Sequence, residues 1–261
     1  MIIDIHTHAW PEKVSQKARD NLEVSFKVKL VGEPTIVTLL EFMRKNNIEL
    51  SVVCAVATRP EQVPGINDWL FSIRSAKIKV FCSLHPDYPA WKEELERIKK
   101  NGDGIKLQPE FQDFYIDEEK VQPMYKEIER LGLPLLFHCG YELSGTQLVR
   151  SSPERLVKVK EKFPGLKIIA AHFGGFRLWE EVKQYLLGED IYLDTSFFFD
   201  YLPRRQIRDM LLAHPQEKIL FGTDFPLIDQ AKDIIFLQEL DIPQELKERI
   251  FYRNAQELLG V

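Results

Sequence analysis

Short apolar runs alternate with longer segments of helical periodicity along almost the whole 261-residue chain. The runs are rich in Ile, Val, Leu and Phe and are bounded by Gly, Pro or charged residues, as is typical of strands buried in a parallel sheet. Strands are predicted at 2–6, 51–57, 79–85, 104–108, 133–139, 167–173, 191–197 and 218–224. Helices are predicted at 38–48, 121–132 and 152–165, with a final helix after Asp241.

Eight strands that alternate with helices over a chain of this length predict an α/β fold, a (β/α)8 TIM barrel. We expect a single domain over residues 1–261, with a C-terminal helix that covers one end of the barrel. A doubly wound sheet is the rival from the same alternation. That rival is weakened because no Gly-rich dinucleotide-binding turn follows the first strand.

Charge and cysteine content exclude several classes of protein. The net charge is -5 and no basic block is present, so neither a nucleic acid nor an anionic membrane surface is expected as a partner. The longest apolar run is far too short to span a bilayer. Cys54, Cys82 and Cys139 are odd in number and far apart, which argues against a disulfide framework. With no export signal at the start, we expect a cytoplasmic protein.

The opening MIIDIHTHAW places two histidines at the end of the first predicted strand. Because side chains alternate along a strand, Asp4, His6 and His8 are expected on the inner face of the barrel, and Ile3 and Ile5 against the helices. Two neighbouring imidazoles can chelate a metal ion. A lone HxH is equally typical of polar residues that enter a loop.

Three further polar side chains stand at the ends of apolar strands. His138 closes the fifth strand, His172 the sixth and Asp224 the eighth. The C-terminal ends of barrel strands meet at one rim, so these side chains are expected to lie near the HxH pair. A buried His or Asp is costly unless it is paired or bound to a metal, and one shared metal site accounts for all of them.

The segments DIHTHAWP, AAHFGG, FGTDFP and RNAQELLG, in this order, resemble the amidohydrolase superfamily, and most closely its amidohydrolase-related branch, which includes decarboxylases. The resemblance covers essentially the whole chain. It implies that His6, His8, His138 and Asp224 hold the metal and that His172 orients the metal-bound water or the substrate. It also implies that Asp224 is the general base, that the substrate is a small molecule, and that the protein forms a homodimer.

The expected cofactor is one divalent metal ion. Neutral imidazoles and a carboxylate suit Zn2+ best, with Mn2+ or another divalent ion as alternatives. Bound zinc lowers the pKa of water to about 7, which makes hydroxide available at neutral pH.

Three basic residues are candidates for substrate binding. Lys106 lies on the predicted fourth strand, where binuclear relatives carry a carboxylated lysine that bridges two metals. The likeness to a mononuclear branch favours instead a lysine that binds a substrate carboxylate or pairs with Glu110. Arg59 and Arg177 follow strands 2 and 6, where they can meet an acidic substrate or remain solvated at the rim. Gln108 stands where many relatives have histidine, which is expected to alter contacts with the substrate.

Other aromatic and histidine residues carry weaker expectations. Trp10, Trp179 and the Phe run 197–199 can form an aromatic pocket wall or pack in the core. His85 either lines the pocket or caps a turn, and His214 is predicted at the surface.

The favoured hypothesis is a metal-dependent hydrolase of a small-molecule amide, ester or lactone. The alternative is a non-oxidative decarboxylase of an aromatic or unsaturated acid with the same metal ligands. A TatD-like nuclease is disfavoured because GDGIKLQPE lacks the expected metal-binding glutamate, and a PHP-type phosphoesterase because AVATRP lacks its second motif. A binding protein without enzymatic activity is disfavoured because the full ligand set is present.

Overall fold

The computed structural model describes residues 1–145 and 147–261. Its strands are β1 (Ile3–Thr7), β2 (Leu50–Cys54), β3 (Ile78–Ser83), β4 (Gly104–Leu107), β5 (Leu135–Phe137), β6 (Ile168–Ala170), β7 (Tyr192–Asp194) and β8 (Ile219–Leu220). They form one eight-stranded parallel sheet in sequential order. The predicted (β/α)8 barrel is confirmed.

Helices connect the strands and surround them. They are α1 (Glu12–Phe26), α2 (Ile36–Lys45), α3 (Val63–Ile73), α4 (Trp91–Asn101), α5 (Pro109–Gln112), α6 (Gln122–Leu131), α7 (Pro153–Lys162), α8 (Trp179–Glu181), α9 (Arg204–Ala213), α10 (Gln230–Glu239), α11 (Gln244–Glu248) and α12 (Asn254–Leu259). Among the described residues, no helix is long and apolar enough to cross a membrane. The homodimer and the cytoplasmic location stay predictions.

The barrel closes through backbone hydrogen bonds between β1 and the segment that follows β8. Ile5 N donates to Phe221 O over 2.9 Å, Asp224 N to His6 O over 2.8 Å, and His8 N to Phe225 O over 2.7 Å. Strand β8 is shorter than the predicted 218–224 because the chain turns here, and Asp224 has a φ of 64°. Asp224 is thereby held beside the two histidines of β1.

The inner face of β1 differs from the strict alternation that we predicted. Ile3 and Ile5 pack inside the barrel with residues from other strands, and Ala255 and Leu258 of α12 close its lower end. Asp4 points the other way, towards α10. The expectation that Asp4 faces inward and the isoleucines face the helices is therefore wrong.

A β-bulge in β1 explains this difference. Asp4 pairs with Ser51 and Thr7 with Val53, so β1 has one residue more than β2 over this interval. The extra residue shifts the alternation, which leaves His6 facing inward although Asp4 does not. Asp4 is fully buried and accepts hydrogen bonds from Thr223 and from Gln230 of α10, and burial raises its pKa to about 7.

The long connection between β1 and β2 contains an additional helix. The sequence predicted only a long loop from residue 10 to residue 34, whereas the structure places α1 there. No residue of α1 is fully buried, but Val14, Leu22 and Phe26 line the cavity at the top of the barrel. The helix therefore forms a wall of that cavity.

His214 lies in the core, not at the surface as predicted. Its side chain is 2% exposed, and Nε2 donates to Ile191 O over 2.9 Å. Burial lowers its pKa to about 4, so the imidazole is neutral in the folded protein at neutral pH.

We predict that His214 makes folding sensitive to acid. Since its folded pKa of about 4 lies below the ordinary 6.5, the stability present above pH 6.5 is lost as the pH falls towards 4. Between neutral pH and pH 5 this amounts to about 2 kcal/mol. In His214→Gln, which keeps a donor for Ile191 O, the free energy of unfolding measured by urea titration should lose this part of its pH dependence. An unchanged pH dependence would contradict the assignment.

Candidate metal centre

Three of the predicted metal ligands meet at the C-terminal rim of the barrel. His8 Nε2 lies 2.9 Å and His6 Nε2 3.7 Å from Asp224 Oδ1. The three side chains form one of the groups in the described chain that can hold a metal ion. The barrel closure places the carboxylate here. Gly222 permits the close approach, since a Cβ there would lie 3.0 Å from His6 Cβ.

Acceptors behind the two imidazoles orient them. His6 Nδ1 donates to Asp194 Oδ2 over 2.9 Å, and His8 Nδ1 donates to Cys54 O over 2.8 Å. Because both acceptors lack a proton, each Nδ1 carries the hydrogen and each Nε2 keeps its lone pair. Metal-binding histidines in proteins are oriented in the same way.

Two of the predicted ligands each have a buried atom without a hydrogen bond in the described chain. These atoms are Asp224 Oδ1 and His138 Nε2. Ligand atoms at 2.0–2.1 Å from a tetrahedral zinc ion are about 3.3 Å apart. The separations of Asp224 Oδ1 from the two histidine nitrogens bracket this value. The residues therefore fit a divalent metal ion.

His138 and His172 lie next to each other beside this group. His138 Nδ1 and His172 Nε2 are 3.0 Å apart, and His172 Nδ1 lies 2.9 Å from Ser196 Oγ. The His172 backbone N–H donates to Asp194 Oδ1, and its φ is 58°, an uncommon value for a residue other than glycine. His172 thus lies beside the metal group, and its role in orienting water or substrate stays a prediction.

His138 is not in the group formed by His6, His8 and Asp224. It belongs to a second potential ligand group with Glu110 and Glu142, and His138 Nε2 lies 3.1 Å from Glu142 Oε1. For His138 to be the fourth ligand, Nε2 must turn from Glu142 to the metal. Its role as a ligand stays a prediction.

Of the three basic residues predicted to bind the substrate, Lys106 lies at the centre. Its side chain is 1% exposed, and Nζ donates to His6 Nε2 over 3.2 Å. The predicted pairing with Glu110 is not seen, because Glu110 Oε1 accepts from Arg150 N and Ser151 Oγ. The Lys106 ammonium is therefore within reach of a molecule bound at the metal group.

Neither predicted arginine reaches the cavity. The Arg59 side chain is 68% exposed and pairs with Glu61. The exposed Arg177 guanidinium stacks on the rings of Phe176 and Tyr201. Both occupy the alternative position at the rim. The structure gives no support for their role in substrate binding.

Burial and neighbouring charges set the protonation of the centre. Burial lowers the pKa of His6, His138 and His172, so all three imidazoles are neutral at neutral pH. Burial raises the pKa of Asp224, but His6 and His8 outweigh it and hold that pKa well below the ordinary range. Neutral imidazoles and an ionised carboxylate are the forms that bind metals.

A cavity of about 650 Å³ opens above the centre. His6, His8, Lys106 and Asp224 lie on its floor. Its walls combine aliphatic, polar and aromatic residues, and the aromatic ones include Trp10, Phe26, Trp69, Phe111, Phe176 and Phe197. The sequence left open whether five aromatic residues line the pocket or pack in the core. Trp10 and Phe197 line the cavity, whereas Trp179, Phe198 and Phe199 pack against or within the core. His85 accepts a hydrogen bond from Asp87 N and caps the turn.

Two acidic residues of the centre were missed by the sequence reasoning. Asp194 ends the apolar run of β7, the same signal that identified His138, His172 and Asp224. Its carboxylate is fully buried between His6 and His172. Glu142 lies in a polar loop, where no local pattern marks it. It is 3% exposed in the structure, and burial raises its pKa to about 7.

A parallel eight-stranded barrel with histidine and aspartate side chains grouped at its C-terminal rim is typical of metal-dependent TIM-barrel enzymes. Within this class the chain belongs to the amidohydrolase family, whose sequence profile matches residues 3–261. The superfamily predicted from the sequence is confirmed, and the chain is an enzyme of that superfamily.

Solved structures share the fold over their full length. 5-Carboxyvanillate decarboxylase from Sphingomonas paucimobilis has a TM-score of 0.77 at 16% identity, covering 100% of this chain and 99% of its own. 2,6-Dihydroxybenzoate decarboxylase from Rhizobium has a TM-score of 0.73 at 19% identity, covering 99% and 98%. Dihydroxybenzoic acid decarboxylase from Polaromonas sp., solved with manganese and 2-nitroresorcinol, has a TM-score of 0.72 at 17% identity, covering 99% and 96%.

We predict that removal of one ligand empties the centre. In His8→Ala and in Asp224→Asn, the metal content of protein purified under metal-replete conditions should fall about tenfold or more, measured by elemental analysis. His85→Gln, a histidine outside the centre, should retain the wild-type content. Full metal content in both ligand variants would contradict the site.

We also predict that Asp194 acts on the metal through His6. Because Asp194 orients the His6 ring, Asp194→Asn should weaken metal affinity by about 10- to 100-fold. Titration with a competing chelator measures this effect, and circular dichroism checks that the variant is folded. A folded variant with wild-type affinity would show that Asp194 is not needed for metal binding.

Proposed function

We propose that this enzyme is a metal-dependent, non-oxidative decarboxylase of a small aromatic carboxylic acid. The observation that carries the proposal is the cavity, in which several aromatic side chains of the walls stand over a polar floor of His6, His8, Lys106 and Asp224. A flat ring fits between aromatic side chains, while one acidic group is directed to the floor.

The structural relatives support this choice over the hydrolase that the sequence favoured. By their names, the three structures described above act on carboxylated or hydroxylated aromatic acids as decarboxylases. A second 5-carboxyvanillate decarboxylase also contains manganese. The decarboxylase, the alternative in the sequence analysis, is therefore the function that we propose.

We propose one divalent ion, Zn2+ or Mn2+, held by His6, His8 and Asp224 with His138 as the fourth ligand. The imidazole and carboxylate donors suit both ions. When bound, the ion supplies a Lewis acid that withdraws electron density from an oxygen of the substrate.

The residues of the cavity floor perform the remaining steps. Lys106 binds the carboxylate of the substrate through its ammonium group. Asp224, which is ionised at rest, first takes up one proton from solvent in the cavity and then delivers it to the ring carbon that carries the carboxylate. The bond between that carbon and the carboxylate then breaks, its electron pair restores the aromatic ring, and CO2 leaves. His172, neutral and fixed by Ser196 and Asp194, orients the substrate.

Hydrolysis of an amide, ester or lactone is the second candidate. The low pKa of Asp224 favours it, since an ionised carboxylate at the floor can take a proton from water. In that reaction Asp224 accepts the proton that it would deliver in decarboxylation.

Product analysis separates the two reactions. We expect the metal-replete enzyme, incubated with a panel of benzoates labelled with carbon-13 in the carboxyl group, to release labelled CO2 and the arene. A parallel panel of lactones, esters and amides should remain intact. Hydrolysis in that panel, with no CO2 from the acids, would contradict the decarboxylase.

We predict that Lys106 and the two rim arginines behave differently. Lys106→Met should lower kcat/KM by about 100-fold or more for the acid that the wild-type enzyme decarboxylates. The reason is that the substrate carboxylate loses its contact with the buried ammonium group. Arg59→Ala and Arg177→Ala should stay within about twofold of wild type, since their side chains lie outside the cavity. Steady-state kinetics measures all three, and a loss in the arginine variants equal to that of Lys106→Met would overturn the assignment.

A further inference from the structure

The cavity wall beside His138 contains a pair of polar residues that the proposed reaction does not use. Gln108 Nε2 donates to Glu142 Oε1 over 2.8 Å. Both residues line the cavity, and the Glu142 side chain is 3% exposed. A nearly buried carboxyl group in a cavity wall is costly without hydrogen-bond partners, and the Gln108 amide supplies one.

Gln108 is held in place from behind. Its backbone N–H donates to Gln112 Oε1 over 2.9 Å. Gln112 is itself buried and donates to Ala57 O and Leu84 O. Gln112 is thus tied to the backbone that follows β2 and β3, and the Gln108 side chain starts from a fixed position.

The backbone before Glu142 is fixed with equal tightness. Tyr141 N donates to Phe176 O over 3.0 Å, and Gly140 N donates to Ser151 O. A Cβ at Gly140 would lie 2.2 Å from Phe176 N, so only glycine allows this contact. Gln108 and Glu142 are therefore a preformed part of the wall.

The pair mainly offers acceptors to a ligand. Gln108 directs its amide nitrogen to Glu142 Oε1. Its amide oxygen, which can only accept a hydrogen bond, is therefore left for a ligand. A ligand that brings only apolar groups to this wall would cover the Gln108 amide oxygen and leave it without a hydrogen bond.

We propose that Gln108 and Glu142 determine specificity by accepting a hydrogen bond from a hydroxyl or amino group on the ring of the substrate. This inference rests on the proposed function, in which Lys106 and the metal group take the carboxylate. The substrate would therefore carry an acid at one position of the ring and a hydrogen-bond donor at another. A site built to accept such a donor discriminates against an analogue that lacks it.

Ligand binding to the metal-loaded enzyme tests the inference without relying on turnover. The probes are benzoate, its ortho, meta and para hydroxy and amino derivatives, and the matched methoxy compounds, with dissociation constants from calorimetry. We expect at least one hydroxy- or aminobenzoate to bind about tenfold or more tightly than its methoxy partner. Glu142→Leu should bring that ratio to about threefold or less while benzoate affinity is retained.

Control variants keep the result interpretable. Glu96→Gln removes an exposed acid that pairs with Arg130 outside the cavity, and the ratio should persist. Metal content and circular dichroism show whether Glu142→Leu remains intact. If it does not, Gln108→Leu removes the partner of Glu142 without touching His138 and should lower the ratio at least about threefold.

Two results would overturn the inference while the proposed function stands. One is equal binding of the matched compounds by the wild-type enzyme, and the other is a wild-type ratio in both Glu142→Leu and Gln108→Leu. Failure of every benzoate to bind the metal-loaded wild type would overturn the proposed substrate class and this inference together. A preference for the hydroxy or for the amino series identifies which donor the wall accepts.

Discussion

The closure of the barrel between β1 and the segment after β8 is the interaction on which the centre depends. The hydrogen bonds from Asp224 N to His6 O and from His8 N to Phe225 O join the two ends of the sheet. The same bonds set the distance between the Asp224 carboxylate and the two imidazoles. Closure of the sheet and assembly of the ligand group are thus one structural event, which is why these ligands can lie more than 200 residues apart in sequence.

Burial then makes this group chemically specific. Burial lowers the pKa of His6 and keeps this imidazole neutral. Asp194 and Cys54 O accept the Nδ1 hydrogens of His6 and His8, which leaves both Nε2 atoms facing the centre, where Lys106 Nζ donates to that of His6. Asp224 stays ionised beside them but has no hydrogen bond to Oδ1 among the described residues. A set of donors with unused lone pairs is expensive to bury in an empty core and favourable once a cation is bound.

The cavity separates the general chemistry of the family from the choice of substrate. The ligand group and Lys106 are attached to the barrel strands or directly follow them, and any substrate with a suitable oxygen can meet them there. The walls come from the connections between strands, including α1 in the β1–β2 connection and the loop that carries Glu142. Since connections can vary while the strands remain packed, substrate preference resides in these walls.

The amino-acid sequence by itself determined the eight strands, their order with the helices and the strand-end residues His6, His8, His138, His172 and Asp224. It could do so because burial leaves periodic apolar runs, and a polar residue at the end of such a run is conspicuous. Asp194 also ends an apolar run, so the same pattern could have identified it as a residue of the centre. The tertiary structure alone decided that a bulge turns Asp4 outward, that His138 faces Glu142, that α1 covers the cavity, and that Arg59 and Arg177 point away from it. These features depend on register shifts, loop paths and packing between segments far apart in the chain, which no local periodicity records.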